Sequence, residues 1–177
     1  MPRSSFGKWL TAGLTALGLW WLLGRKAGGA PPGGQTLYPV DDWVVETALD
    51  GTQTTSRFSY LVAGYSGGTL MSRDEAFIRF SGLPATVSQA FLEVPLLEYV
   101  GVTPYSATLS IGGLVVGTDN ATPPATVRFD VTAFVQAAVA GELLVNIAPQ
   151  VATENYLRRY GSVRATAPLQ RPRIVVA

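Results

Sequence analysis

The 177-residue sequence contains neither cysteine nor histidine. Without cysteine there is no disulfide scaffold, no thiolate nucleophile and no iron–sulfur site. Without histidine there is no imidazole-based triad and no His-ligated haem, and the double absence removes zinc fingers. Charge is also sparse, at 14 % of residues, with 13 basic and 12 acidic side chains, against 47 % hydrophobic. What remains is an apolar chain punctuated by 19 Gly and 12 Pro, long enough for one domain of about 150 residues and an appendage.

The few charges are unevenly placed. Arg3, Lys8, Arg25 and Lys26 fall in the first 26 residues, which hold no acid, leaving nine basic and twelve acidic residues and a net charge of −3 for the rest. A body with that balance offers no track for phosphates, so nucleic acid is not an expected partner. The basic end brackets an uncharged 16-residue run, Trp9–Gly24. As a helix it spans about 24 Å, and counting from Phe6 with Lys8 snorkelling extends it to about 28 Å, against a hydrocarbon core of roughly 30 Å. Trp9, Trp20 and Trp21 sit where interfacial aromatics belong. The expectation is a hydrophobic membrane-anchor helix over residues 1–26, meeting a lipid bilayer or an apolar protein channel through residues 9–24. Two alternatives stay open. One is a secretory signal cleaved near Ala27-Gly28-Gly29-Ala30; the other is a helix packed in an assembly through its small residues Thr11, Ala12, Thr15 and Ala16. Residues 27–37, rich in Gly and Pro, read as a linker.

Residues 38–177 read as sheet. Apolar positions alternate in Ala76/Ile78/Phe80, Ala90/Leu92/Val94/Leu96, Ala107/Leu109/Ile111, Val127/Phe129/Val131, Leu143/Val145/Ile147 and Ile174/Val176, the period of half-buried strands. Further strands are expected within Val40–Leu49, Phe58–Val62 and Thr69–Met71. Pro95 lacks a donor and argues for an edge or a bulge. One helix is expected in TAFVQAAVA, with Thr132 as N-cap and Gly141 at its end. Seven to nine short strands with so little helix imply an all-β fold, an antiparallel two-sheet β-sandwich with one short helix.

The stretch AFIRFSGLP followed by TVSQAFLEVPL resembles the core of the DNRLRE-type jelly-roll modules, related to the carbohydrate-binding modules of family 96. Arg79, Phe80, Leu83, Pro84, Ala90, Leu92 and Val94 carry the likeness. FDVTAFVQ (Phe129–Gln136) is similar to a "DVT" segment of that family, and Ser162, Arg164, Arg171, Pro172, Ile174 and Val176 match its closing strand. Tyr65, Gly67 and Leu70 resemble its opening. The resemblance runs from about Tyr65 to Ala177, roughly two-thirds of the chain. It departs at Gly64, where the family has Asn, at Val163, which splits the Ser–Arg pair, and in lacking a Trp-containing middle loop. The resemblance implies a sandwich used for adhesion, carbohydrate binding or structure, in extracellular and virion proteins, without catalysis.

No catalytic, cofactor-binding or metal site is marked by position. Asp74 and Glu75 are expected to point apart in a polar turn before a strand. Asp41 and Asp42 read as a solvated turn, with calcium as an alternative that no specific motif supports. Asp119-Asn120 reads as a hairpin turn. Tyr65, Tyr99, Tyr105, Tyr156 and Tyr160 fall in or near loops and strand ends, where exposed rings can stack on sugars. Arg158 and Arg159 suggest a protein contact or an ion-paired strand end, and Arg79 and Arg173 point to solvent or an ion pair. The expected function is that of a non-catalytic structural or adhesive module, a membrane-anchored virion structural protein with its carboxyl-terminal domain exposed, on a virion or cell surface. Its partners are then other structural proteins or copies of itself. The alternative is a carbohydrate-binding module with glycans as partners, and a glycan hydrolase ranks below both.

Overall fold

The computed structural model describes residues 34–66, 72–101, 105–150 and 155–177. The chain divides into two units, Met1–Pro31 and Pro32–Ala177, and the second holds every described residue. Twelve strands follow in order: β1 (Gln35–Leu37), β2 (Asp41–Thr47), β3 (Gln53–Ser56), β4 (Tyr60–Ser66), β5 (Ser72–Phe80), β6 (Ala90–Gly101), β7 (Ala107–Ile111), β8 (Leu114–Asp119), β9 (Ala125–Asp130), β10 (Leu143–Pro149), β11 (Tyr156–Gly161) and β12 (Arg173–Val176). The fold is all-β, and the pairings among described residues are antiparallel.

Instead of the two separate sheets expected, the strands form one continuous, unclosed sheet in the order β1-β12-β6-β11-β4-β5-β10-β7-β8. β9 lies on the free side of β6, and β2, carrying β3, on the free side of β5. The β4–β5 ladder, only three pairs long, is the corner that makes the sheet continuous. The first strand begins at Gln35, inside the stretch read as linker, because β12 offers it an open edge. The strand expected at Thr69–Met71 lies outside the described residues.

The alternating sets face inward as their period requires. Ala76, Ile78, Phe80, Ala90, Leu92, Val94, Val145 and Ile147 are at most 1 % exposed and belong to one contiguous core. Val127 and Phe129 are half-buried against it. Pro95 is not at an edge: β6 has neighbours on both sides. Along one side β12 pairs with β6 as far as Glu93 and β11 takes over at Leu96, so Pro95 falls at the changeover. The register of β11 shifts beside it, between Arg159 and Tyr160, a bulge where a strand changes partner.

Among the described residues there is one α-helix, α1 (Thr132–Gln136), and it has Val131 rather than Thr132 as its N-cap. Thr132 is buried and serves the sheet, its Oγ1 accepting the Ala90 N–H at 2.9 Å. A 3-10 turn over Val139–Gly141 follows, and Leu83 N–H donates to the Gly141 carbonyl at 3.0 Å.

Among the described residues no helix is long and apolar enough to cross a membrane. The helix expected over residues 1–26 lies outside the described residues. The expectation of a membrane-anchored structural protein, with a bilayer or apolar channel as partner and an anchored location, is corrected on that finding. The physical reason is length: a spanning helix needs about 20 apolar residues, and the uncharged run Trp9–Gly24 supplies 16, the longer count from Phe6 being interrupted by the charge of Lys8.

Gly64 explains one departure from the family pattern. It pairs with Leu157 of β11, and a Cβ there would collide with the Tyr156 carbonyl oxygen and come within 2.8 Å of Leu157 Cα. The asparagine of the family has no room. Gly64→Ala is therefore expected to destabilise the fold by about 1–3 kcal/mol through overpacking against backbone. Urea unfolding of the full chain measures it, and an unchanged midpoint would show that β4 and β11 separate freely.

Candidate functional site

The tyrosines expected at the rim gather around Tyr156 at one end of β4, β11 and β6. Register places Tyr65 and Gly101 opposite Tyr156, and Tyr99 opposite Arg158. The Tyr105 ring lies 4.8 Å from that of Tyr156 at 42°, Tyr65 6.0 Å away at 48°, and Tyr99 6.4 Å away at 24°. Tyr156 and Tyr160 are 1 % and 0 % exposed, so neither belongs to an open platform. Tyr65, Tyr99 and Tyr105 are half-buried, and two of them are tilted against Tyr156. Two shallow recesses flank the cluster. One of about 330 Å³ is lined by Tyr99, Ser106, Asn120, Thr122 and Arg158, the other of about 220 Å³ by Tyr65, Ser66, Gly101, Asn155 and Tyr156.

Beneath the rings lies a buried ion pair. Arg158, 1 % exposed, donates from Nε to Asp119 Oδ2 at 3.0 Å, and a second nitrogen lies 2.9 Å from the same oxygen. Its remaining N–H groups donate to the carbonyls of Tyr105 (3.0 Å) and Ala121 (2.6 Å). Tyr160 Oη donates to Asp119 Oδ2 at 2.8 Å, and Ala121 N–H donates to Oδ1 at 2.8 Å. Burial first, then the Asp119 charge, pushes the Tyr160 hydroxyl well above its ordinary range, so it stays a donor. Asp119 is therefore no exposed hairpin turn: it closes β8 and neutralises the only guanidinium buried in the core among the described residues. Four of the five guanidinium N–H donors are thus engaged inside the protein.

Asp41 and Asp42 are likewise not a solvated turn. They open β2, and Asp42 is fully buried. It accepts from Ser162 Oγ at 3.1 Å and Val163 N–H at 2.7 Å, and pairs with Arg164 Nη1. Arg164 also reaches Asp41 Oδ1 at 2.7 Å, while Arg57 holds Asp41 Oδ2 at 3.1 Å. Those two arginines, Arg57 foremost, hold the Asp41 carboxyl at about 2. Burial raises Asp42 despite its partners. Ser162 and Arg164, noted for their family resemblance, thus clamp the start of β2 to the segment after β11. Both carboxylates are occupied by donors, and among the described residues no three acidic groups gather to hold a metal ion.

Asp74 and Glu75 do point apart, but within β5. Asp74 is 7 % exposed and accepts from Ser66 Oγ at 3.0 Å. Glu75 faces outward, pairing with Arg73 at 2.6 Å and accepting from Asn146 Nδ2 at 3.2 Å. Arg173 pairs with Glu93 at 2.8 Å, Arg159 with Glu98, and Arg79 is exposed.

The outward face of β2, β5, β10 and β7 carries an arrangement that sequence reasoning missed. Trp43, Phe77, Asn146 and Ser110 stand directly opposite one another in four adjacent strands, a transverse row of about 14 Å at ordinary strand spacing. The Trp43 and Phe77 rings stack with centroids 5.6 Å apart and planes within 10°. Beside them a polar line is already ordered. Ser110 Oγ donates to Asn146 Oδ1 at 3.4 Å, and Asn146 donates to Glu75, which Arg73 holds. All four row residues are half-buried. A parallel aromatic pair continued by an amide, a hydroxyl and a carboxylate presents one apolar face and several fixed hydrogen-bonding groups.

The chain matches no protein-family model and no curated protein. The likeness to the jelly-roll modules therefore stands at the level of architecture, an antiparallel, strand-rich fold of generic sandwich type, and not as membership of the DNRLRE or carbohydrate-binding family.

Proposed function

We propose that the protein is a non-catalytic carbohydrate-binding module, its strands arranged as a jelly-roll sandwich, and that saccharide lies across the Trp43–Phe77–Asn146–Ser110 row. The stacked Trp43–Phe77 pair carries this reading. A pyranose ring has an apolar C–H face and a polar rim of hydroxyls. The aromatic pair suits the first, and Asn146, Ser110 and Glu75, held by one another, suit the second without a large ordering cost. The row crosses several strands, which favours an oligosaccharide over a single sugar.

Absence of catalysis belongs to the same proposal. The buried carboxylates Asp42 and Asp119 are committed to arginines, so neither is a ready general acid or base. A glycan array probed with the full chain is expected to give positive glycans, recovered uncleaved. Trp43→Ala or Phe77→Ala should then weaken binding about tenfold, since an aromatic contact contributes about 0.5–1.5 kcal/mol beyond area burial. Tyr65→Ala should leave it unchanged. An array with no binding, or affinity that survives Trp43→Ala combined with Phe77→Ala, overturns the proposal.

A further inference from the structure

Asp74 sits in the short β4–β5 ladder, three pairs long, that links β11 and β4 to β5 and β10 in the sheet path. That ladder consists of Gly64–Asp74, Tyr65–Arg73 and Ser66–Ser72. The Asp74 carboxyl faces inward and meets hydroxyls instead of a cation: Ser66 Oγ at 3.0 Å, with Ser72 Oγ 3.1 Å beyond. The charged residue opposite it on β2 is Glu46, of the same sign. On β5 itself, Arg73 and Glu75 face the other way and pair with each other. β4 contributes no charged residue, only the phenols of Tyr60 and Tyr65, and β3 and β10 hold no titratable side chain. A carboxylate so placed has lost water without gaining a counter-ion.

We propose that the β4–β5 corner is an acid-fastened seam, closed by the neutral Asp74 carboxyl and loosened when that group ionises. The protonated group adds an O–H donor to a cluster that otherwise offers it hydroxyls. The ionised group draws water to the seam. Ser66 also lines the recess beside Tyr65 and Tyr156, so loosening reaches the tyrosine end as well. Burial is the main cause that raises this carboxyl to about 6; the Ser66 hydrogen bond opposes it and the Glu46 charge adds to it. The unfolded chain releases the same proton near 3.8. Between those values the folded state binds the extra proton, so stability falls as pH rises from about 4 to about 6 and is level above.

Other carboxylates also shift with pH, so the test compares the full chain with Asp74→Asn. Urea unfolding at pH 4.5 and pH 7 gives an unfolding constant for each protein. The ratio of wild type to variant is expected to rise roughly twentyfold between the two conditions. The Asp74 carboxyl carbon resonance of the wild type should titrate near 6, and seam amides should exchange faster above that pH after correction for intrinsic rates. A ratio that does not change, or a carboxyl titrating near 3.8, overturns the proposal. Should Asp74→Asn not fold, the wild-type carboxyl titration and amide exchange decide it alone. None of these readouts involves a glycan, so the seam stands or falls apart from the proposed function.

Discussion

Arg158→Met is expected to lower the unfolding free energy of the chain by about 3–5 kcal/mol, the cost of removing one partner from a buried ion pair. The guanidinium holds Asp119 twice and caps two backbone carbonyls. Methionine fills part of the volume but leaves the carboxylate with only Tyr160 Oη and the Ala121 N–H. Adding Asp119→Leu should recover part of the loss, because the orphaned charge is then gone. Chemical denaturation at pH 7 measures both. A loss below about 1 kcal/mol for Arg158→Met would mean that water reaches Asp119 and replaces the arginine.

Phe80→Ala should cost a similar amount, about 3–5 kcal/mol, by a different route. Phe80 is fully buried at the end of β5, opposite Leu143, and its removal leaves a cavity that strands on either side cannot close. The expected signature is a lower urea midpoint with an unchanged slope, since the surface exposed on unfolding hardly alters. A change under about 1 kcal/mol would place Phe80 outside the core.

The two residues show what a sequence can and cannot display. Phe80 was legible because burial along a strand follows a period of two, and AFIRF carries it plainly. Arg158 was not, because its burial depends on Asp119, 39 positions away, and no local pattern links them. Asp42 is misleading for the same reason: two adjacent aspartates look like a solvated turn until Ser162, Val163 and Arg164 arrive from the far end of the chain. The row on the outer face was hidden by register. Trp43, Phe77, Asn146 and Ser110 are single residues in four strands, and only the pairing of those strands sets them in line. The tyrosines fall near strand ends, but alternation on β11 turns Tyr156 and Tyr160 inward. Strand number, Gly/Pro turns and the scarcity of helix point to two sheets, and none of them reveals a three-pair corner.

The pairing of the first strand with the last has a mechanical side. With Gln35 opposite Val176, Gly34 and Ala177 lie next to each other at one end of the ladder. Tension between those two points acts across the β1–β12 ladder, so its pairs yield one after another instead of sharing the load. Ala177 is gripped more firmly: its carbonyl accepts from Ser88 and Gln89 N–H, and its own N–H donates to Gln89. Under such a pull β1 peels away first, within three residue pairs, while β12 and the core behind it keep their shape.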